Sequence, residues 1–197
     1  MKIYFDGCSW TKGAELIQPQ KKRYSRLICD DLGAEETNLA LSGGSNDRII
    51  RNLLVENNIE EYNLAIIQMT FPVRTEYHDK NWIRVNPSND YSNWLHGLHG
   101  DIKGLGENFS DHNDFWKYWY MYITNKKFFD VKEKIHYETI KSYCASKGVP
   151  LIICSNNRWS KLKFDLVLTT DKNTRSKMGH PNIIGHQLIA KAMLDKI

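Results

Sequence analysis

Lys2-Ile3-Tyr4-Phe5-Asp6-Gly7-Cys8-Ser9-Trp10-Thr11-Lys12-Gly13 decides the reading of this chain. A short apolar run, Lys2 to Phe5, predicts a strand, and it passes directly into a turn in which Ser9 stands between two glycines. A serine hydroxyl is a weak nucleophile at neutral pH, so chemistry at Ser9 requires an imidazole within hydrogen-bond reach and donors for a developing oxyanion. The far end of the chain offers an imidazole in Gly179-His180-Pro181-Asn182-Ile183-Ile184-Gly185-His186, just ahead of a C-terminal helical pattern. In an open α/β sheet the loops after the carboxyl ends of the strands converge on one edge, so the first and last loops can meet.

The remaining pattern is that of an α/β protein. Strands are predicted near Lys2 to Phe5, Glu35 to Asn38, Leu64 to Gln68, Pro150 to Cys154 and Asp165 to Leu168. Helices are predicted between them at Arg23 to Leu32, Asn46 to Val55, His112 to Lys147 with a break, and Asn182 to Asp195. Alternation of this kind predicts a parallel sheet covered on both faces, a three-layer α/β/α sandwich with a flavodoxin-like order. The stretch from Phe71 to about Lys127 is too long for an ordinary connection and carries Trp82, Trp94, Trp116 and Trp119. Leaving the third strand at the edge where Ser9 and His180 converge, it is placed to act as an insertion or lid within one domain spanning 1–197.

A third segment, Asn38-Leu39-Ala40-Leu41-Ser42-Gly43-Gly44-Ser45, follows the second strand. With it the chain resembles the SGNH (GDSL-like) hydrolase superfamily, the three segments matching blocks I, II and V. The wording of block I, with Asp6 before it and Glu15-Leu16 after Gly13, together with Thr70 and Arg74-x-Glu76, is similar to uncharacterised phage-encoded members. The resemblance implies a serine esterase with Ser9 as nucleophile, His180 as general base, and the backbone N–H groups of Ser9 and Gly43 in the oxyanion hole. It also implies that no cofactor or metal is needed.

Two departures bear on the chemistry. Block III normally supplies an asparagine, whereas Leu64 to Ile67 here continues into Gln68-Met69-Thr70-Phe71-Pro72-Val73-Arg74-Thr75-Glu76. Thr70, Gln68 or Arg74 could donate in its place. The family usually places an aspartate three residues before the histidine, where this chain has Lys177. Asp171 is the nearest substitute; otherwise the site is a Ser-His dyad with a backbone carbonyl fixing the tautomer. Trp10, Arg74 and Glu76 are read as substrate-binding. The aromatic-rich insertion favours a carbohydrate or other flat, polar ester, an O-acetyl sugar among them. The competing class is a catalytically silent scaffold used for binding.

Composition narrows the alternatives. Twenty-seven basic and 23 acidic residues give a scattered net charge of +4, which points to no polyanionic partner. Lys21-Lys22-Arg23 and the aromatic run Phe115 to Tyr122 are read as surface and packing features rather than as a nucleic-acid site. Cys8, Cys29, Cys144 and Cys154 have no metal-ligand spacing and read as buried thiols. The segment His96 to His112 lacks a short-range zinc pattern and reads as a solvated loop. With no signal peptide and no apolar run approaching ~20 residues, a cytoplasmic protein without a membrane partner is expected, in the host cytoplasm if phage-encoded. Oligomeric state is left open.

Overall fold

The structure, a computed structural model, describes residues 1–79, 81–85, 119–120 and 124–197. Five parallel strands form the central sheet in the order β2-β1-β3-β6-β7: β1 (Lys2–Asp6), β2 (Glu35–Asn38), β3 (Leu64–Met69), β6 (Leu151–Ser155) and β7 (Leu166–Val167). The register pairs Ile3 with Leu64, Phe5 with Asn38, and Ala65 with Leu151. All six residues of β3 are buried, as a central strand covered on both faces requires.

Period-two alternation divides the core into two layers. Ile3, Phe5, Leu64, Ile66, Ile152 and Cys154 point to one face, where α3 (Tyr24–Leu32) and the C-terminal helix α6 (Ile183–Leu194) supply Tyr24, Ile28, Ile189 and Met193. One short helical turn, α2 (Pro19–Lys22), leads into α3. Tyr4, Ala65, Ile67 and Ile153 point to the other face, against Ile49 of α4 (Asn46–Arg51), Leu53 of the π-helical turn that continues it, and Ile140 and Cys144 of α5 (Lys126–Ser146). This is the three-layer sandwich expected from the alternation of elements.

The differences lie at element ends and in the insertion. The helix expected from His112 to Lys147 is described as α5, capped by Asn125, whose side chain accepts from the Phe128 N–H at 3.0 Å. After β3 the chain forms an antiparallel hairpin, β4 (Thr75–Asp79) and β5 (Asn81–Val85), with Trp82 opposite His78. The sequence reading missed this hairpin because Tyr, His, Trp and Arg alternate there without an apolar run. Trp94, Trp116, most of the aromatic run and the His96 to His112 segment lie outside the described residues. All four cysteines are free and buried, and no described helix is long and apolar enough to cross a membrane.

One buried group on α6 gives the fold a pH dependence. His186 is fully buried, stacks on Tyr24, and accepts the Tyr24 N–H at Nδ1 (3.1 Å), while its Nε2 is without a partner among the described residues. Burial, assisted by nearby His180, lowers its pKa from 6.5 to about 4. Below pH 6.5 the unfolded chain therefore takes up a proton that the native state refuses, so stability falls as the pH drops from 6.5 towards 4. The expected loss approaches about 3 kcal/mol. Urea melts at about pH 7.5 and 4.5 should show it, with a shallower dependence in His186→Gln, which keeps an acceptor for Tyr24. Asp47, which Lys132 and His136 hold at about 2 against the opposing effect of burial, adds its loss only at lower pH.

Candidate active site

Asp6 ends β1 and Ser9 opens α1 (Ser9–Lys12), a single helical turn closed by Gly13 in the left-handed conformation. Only a glycine fits at position 7, where the chain leaves the strand, because a Cβ there would lie 2.5 Å from Thr11 Oγ1 and 2.8 Å from Gln68 Cβ. The turn is fixed by a polar network: Gln68 Oε1 accepts from Thr11 N–H (3.2 Å) and Thr11 Oγ1 (2.6 Å), and Asn38 Nδ2 donates to the Thr11 carbonyl (3.1 Å). Beneath it Asp6, fully buried, accepts from Arg48 Nη1 (2.9 Å), Gly7 N–H (2.7 Å) and Asn52 Nδ2 (2.8 Å). Cys8 points inward, its sulfur receiving Gln68 Nε2 at 3.3 Å.

The histidine segment is built as firmly. Asn182 caps α6 by accepting from Gly185 N–H (3.0 Å), and its own N–H reaches the Thr174 carbonyl (2.9 Å). Gly185 sits so close to that carbonyl that a Cβ would lie 2.3 Å from it. Ser176 N–H donates to the His180 carbonyl (2.8 Å), closing the loop.

Ser9 and His180 line one cavity of about 500 Å³ together with Cys8, Trp10, Phe71, Arg74, Asn156, Arg158, Trp159, Met178 and Gly179. The first and last loops of the chain thus meet at the carboxyl edge of the sheet. Among the described residues no hydrogen bond joins Ser9 Oγ to the ring; the hydroxyl's contact is Cys8 Sγ at 3.9 Å. Catalytic hydrogen bonds are often long in unliganded sites and tighten with substrate.

The carboxylate on the imidazole is Glu15. Its Oε2 lies 2.6 Å from His180 Nδ1, and the same side chain accepts from Ser176 Oγ and from Met178 N–H (3.2 Å). The Ser176 hydroxyl, with smaller contributions from His180 and Met178, lowers the Glu15 pKa, so the group is an ionised acceptor. Nδ1 must then carry the ring proton, which leaves Nε2 as the free acceptor of the neutral ring. Glu15 adopts φ 67°, a left-handed conformation rare for a residue with a side chain.

Asp171, the acid expected from the sequence, does not reach the ring. Its carboxylate accepts from the N–H groups of Asn173 (2.8 Å) and Thr174 (3.0 Å) within its own turn. Glu76 is likewise committed elsewhere, to Arg51 at 2.7 and 3.3 Å with its side chain 3% exposed. Gly43 stands in a left-handed turn (φ 71°) outside the cavity lining. Of the substitutes for the absent block III asparagine, Gln68 faces Thr11 and Cys8. Thr70 is buried, with its backbone closed on Asn46 (2.8 and 3.0 Å) and its hydroxyl receiving Arg74 Nη1 (2.7 Å). Only Arg74 reaches the cavity wall, where Trp10 also stands.

The sequence reading missed Glu15 and the Asn156 to Trp159 loop. A carboxylate a few positions beyond a nucleophile carries no family signal, although Ser-Asn-Asn-Arg-Trp directly after a predicted strand marked a loop on the functional edge.

By sequence, neither a family model nor a curated protein matches this chain. By structure, a carbohydrate esterase whose active site displays divergent catalytic and non-catalytic binding functions aligns with TM-score 0.54 and 11% identity over 99% of this chain and 64% of its own. The shared fold is a mostly parallel central sheet flanked by helices. A family two carbohydrate esterase from Clostridium thermocellum, in complex with cellohexaose, aligns with TM-score 0.51 and 16% identity over 100% of this chain and 63% of its own. The psychrotrophic esterase EstA from Pseudoalteromonas sp. aligns with TM-score 0.46 and 13% identity over 98% of this chain and 94% of its own. Within this α/β fold, the serine turn after β1 and the histidine loop before α6 line one cavity.

Removing the charge from Glu15 tests what it does to the ring. In Glu15→Gln the new amide could present its NH2 to Nδ1 and favour the tautomer with a protonated Nε2. With both side chains 21% exposed, solvent moderates the effect. Glu15→Gln is expected to lower kcat for a 4-nitrophenyl ester by about a hundredfold with KM nearly unchanged, and Glu15→Asp to recover part of it. Equal kcat values in wild type and Glu15→Gln would remove the role.

Proposed function

We propose that this chain is a serine esterase of SGNH type acting on a carboxylic ester, with O-acetylated carbohydrate as the favoured class. Ser9 Oγ attacks the ester carbonyl and passes its proton to His180 Nε2. The imidazolium, held by Glu15, protonates the departing alcohol, and water then releases the acyl group by the reverse transfer. The N–H groups at the start of α1 are the assigned oxyanion donors, with Arg74 as the side-chain donor from the block III position, whereas Gly43 lies outside the described cavity lining. The observation that carries this reading is the ionised Glu15 on His180 Nδ1, which leaves Nε2 basic in the cavity that Ser9 lines. Trp10 and Trp159 support a ring-shaped substrate, because aromatic faces pack on sugar rings.

A fluorophosphonate is the direct test. Intact-mass spectrometry of the folded protein should show one adduct, and peptide mapping should locate it on Ser9. An unmodified protein would favour the second reading, a non-catalytic binding scaffold, which the 3.9 Å contact of Ser9 with Cys8 in place of His180 keeps open.

A further inference from the structure

We infer that the cavity beside Ser9 takes an ester carried on an anionic ring, its carboxylate or phosphate paired with Arg158. The inference rests on the esterase reading for the identity of the reacting group, but the anion subsite stands on its own geometry.

The loop after β6 is a built structure. Glu133 of α5, with 3% of its surface exposed, receives Asn157 Nδ2 at 2.9 Å on one carboxylate oxygen and Ser160 Oγ at 2.8 Å on the other. Ser155 Oγ accepts the Asn157 N–H (3.0 Å), and Asn157 Oδ1 accepts the Trp159 N–H (3.2 Å). Residues 155–160 are thus pinned on both sides of the positions that face the cavity, and Asn156, Arg158 and Trp159 are presented to it.

Two of the groups that the loop presents are without a partner among the described residues. Arg158 is exposed and makes no ion pair or hydrogen bond among the described residues, whereas Arg23, Arg26, Arg48 and Arg51 are each paired with a carboxylate. Asn156 Oδ1 is buried at the cavity wall without a partner among the described residues. The described lining holds Arg74, Arg158 and His180 and no carboxylate, since Glu15 lies behind the imidazole. A guanidinium suits a carboxylate or phosphate by its planar fork, an amide oxygen suits a ring hydroxyl, and the Trp159 face suits the ring. A neutral acetylated chain could satisfy Asn156 but would leave the Arg158 guanidinium without an anion.

Ligand-observed NMR titrations of the whole protein with D-glucuronate, D-glucose 6-phosphate and D-glucose test the subsite independently of catalysis. At least one anion is expected to bind about tenfold tighter than glucose. The gap should shrink in Arg158→Gln and in about 0.5 M salt, and the anion with the larger gap identifies the group recognised. Equal binding of all three, or a gap that survives Arg158→Gln, would overturn the proposal. The wild-type phosphonate adduct separates the two readings: an adduct with no anion preference removes only the subsite, and an anion preference without an adduct removes only the esterase.

Discussion

A Ser9→Ala variant is expected to lose the phosphonate adduct entirely and to lower kcat on any accepted ester by about 10⁴- to 10⁶-fold, the range seen when a nucleophile is removed from a serine hydrolase. The fold should survive, because among the described residues the Ser9 hydroxyl makes only the weak 3.9 Å approach to Cys8 Sγ, and the turn is secured by Thr11, Gln68 and Asn38. Unchanged urea midpoints with collapsed kcat would assign the loss to chemistry. Residual turnover within about tenfold of wild type would exclude Ser9 as the nucleophile.

The largest expected effect on stability is at Asp6. Its two carboxylate oxygens take Arg48, Gly7, Asn52 and, at 3.4 Å, the Tyr4 hydroxyl, and Asp6 itself has no exposure to solvent. Asp6→Ala would leave the largely buried Arg48 guanidinium without its counter-ion and strand a donor on Asn52. A cost of about 3 to 5 kcal/mol follows, a large part of the total stability of an ordinary domain. Denaturant melts should show the midpoint falling at an unchanged slope. Breaking the pair is costly even where the pair itself adds little net stability, so Asp6→Asn combined with Arg48→Met should recover much of the loss. If Asp6→Ala melted within about 1 kcal/mol of wild type, the buried pair would not be holding the turn.

The strands and the helices around them were legible because apolar periodicity reports burial directly. Leu64 to Met69 is an uninterrupted apolar run apart from Gln68, and it lies at the middle of the sheet. That Ser9 and His180 would line one cavity was legible for another reason, that the loops carrying them leave the same sheet edge. The acid was not. Nothing in Ala14-Glu15-Leu16 distinguishes a carboxylate that turns back to a loop 165 residues away from one that faces solvent. Asp171 was chosen on sequence proximity to the histidine, but its own turn offers two N–H donors that it satisfies locally. Gln68 and Thr70 were likewise plausible donors by type and position, and only their packing against Thr11, Asn46 and Arg74 shows where their hydrogen bonds go.

Glu15 and Ser9 stand on neighbouring turns of one short segment, and this shapes how the site is put together. Two of the three groups are placed by a few residues of local chain, so assembly depends on a single long-range closure that brings in the third. That closure is shared with His186, whose ring receives the Tyr24 N–H across 162 residues. Residues 15–24 and 180–186 therefore form a clasp, and the entropy of joining them is offset by the docking of α6 on α3. A fold organised in this way makes the candidate site depend on the seating of α6. Undocking of that helix would part His180 from Glu15 while the sheet remained intact.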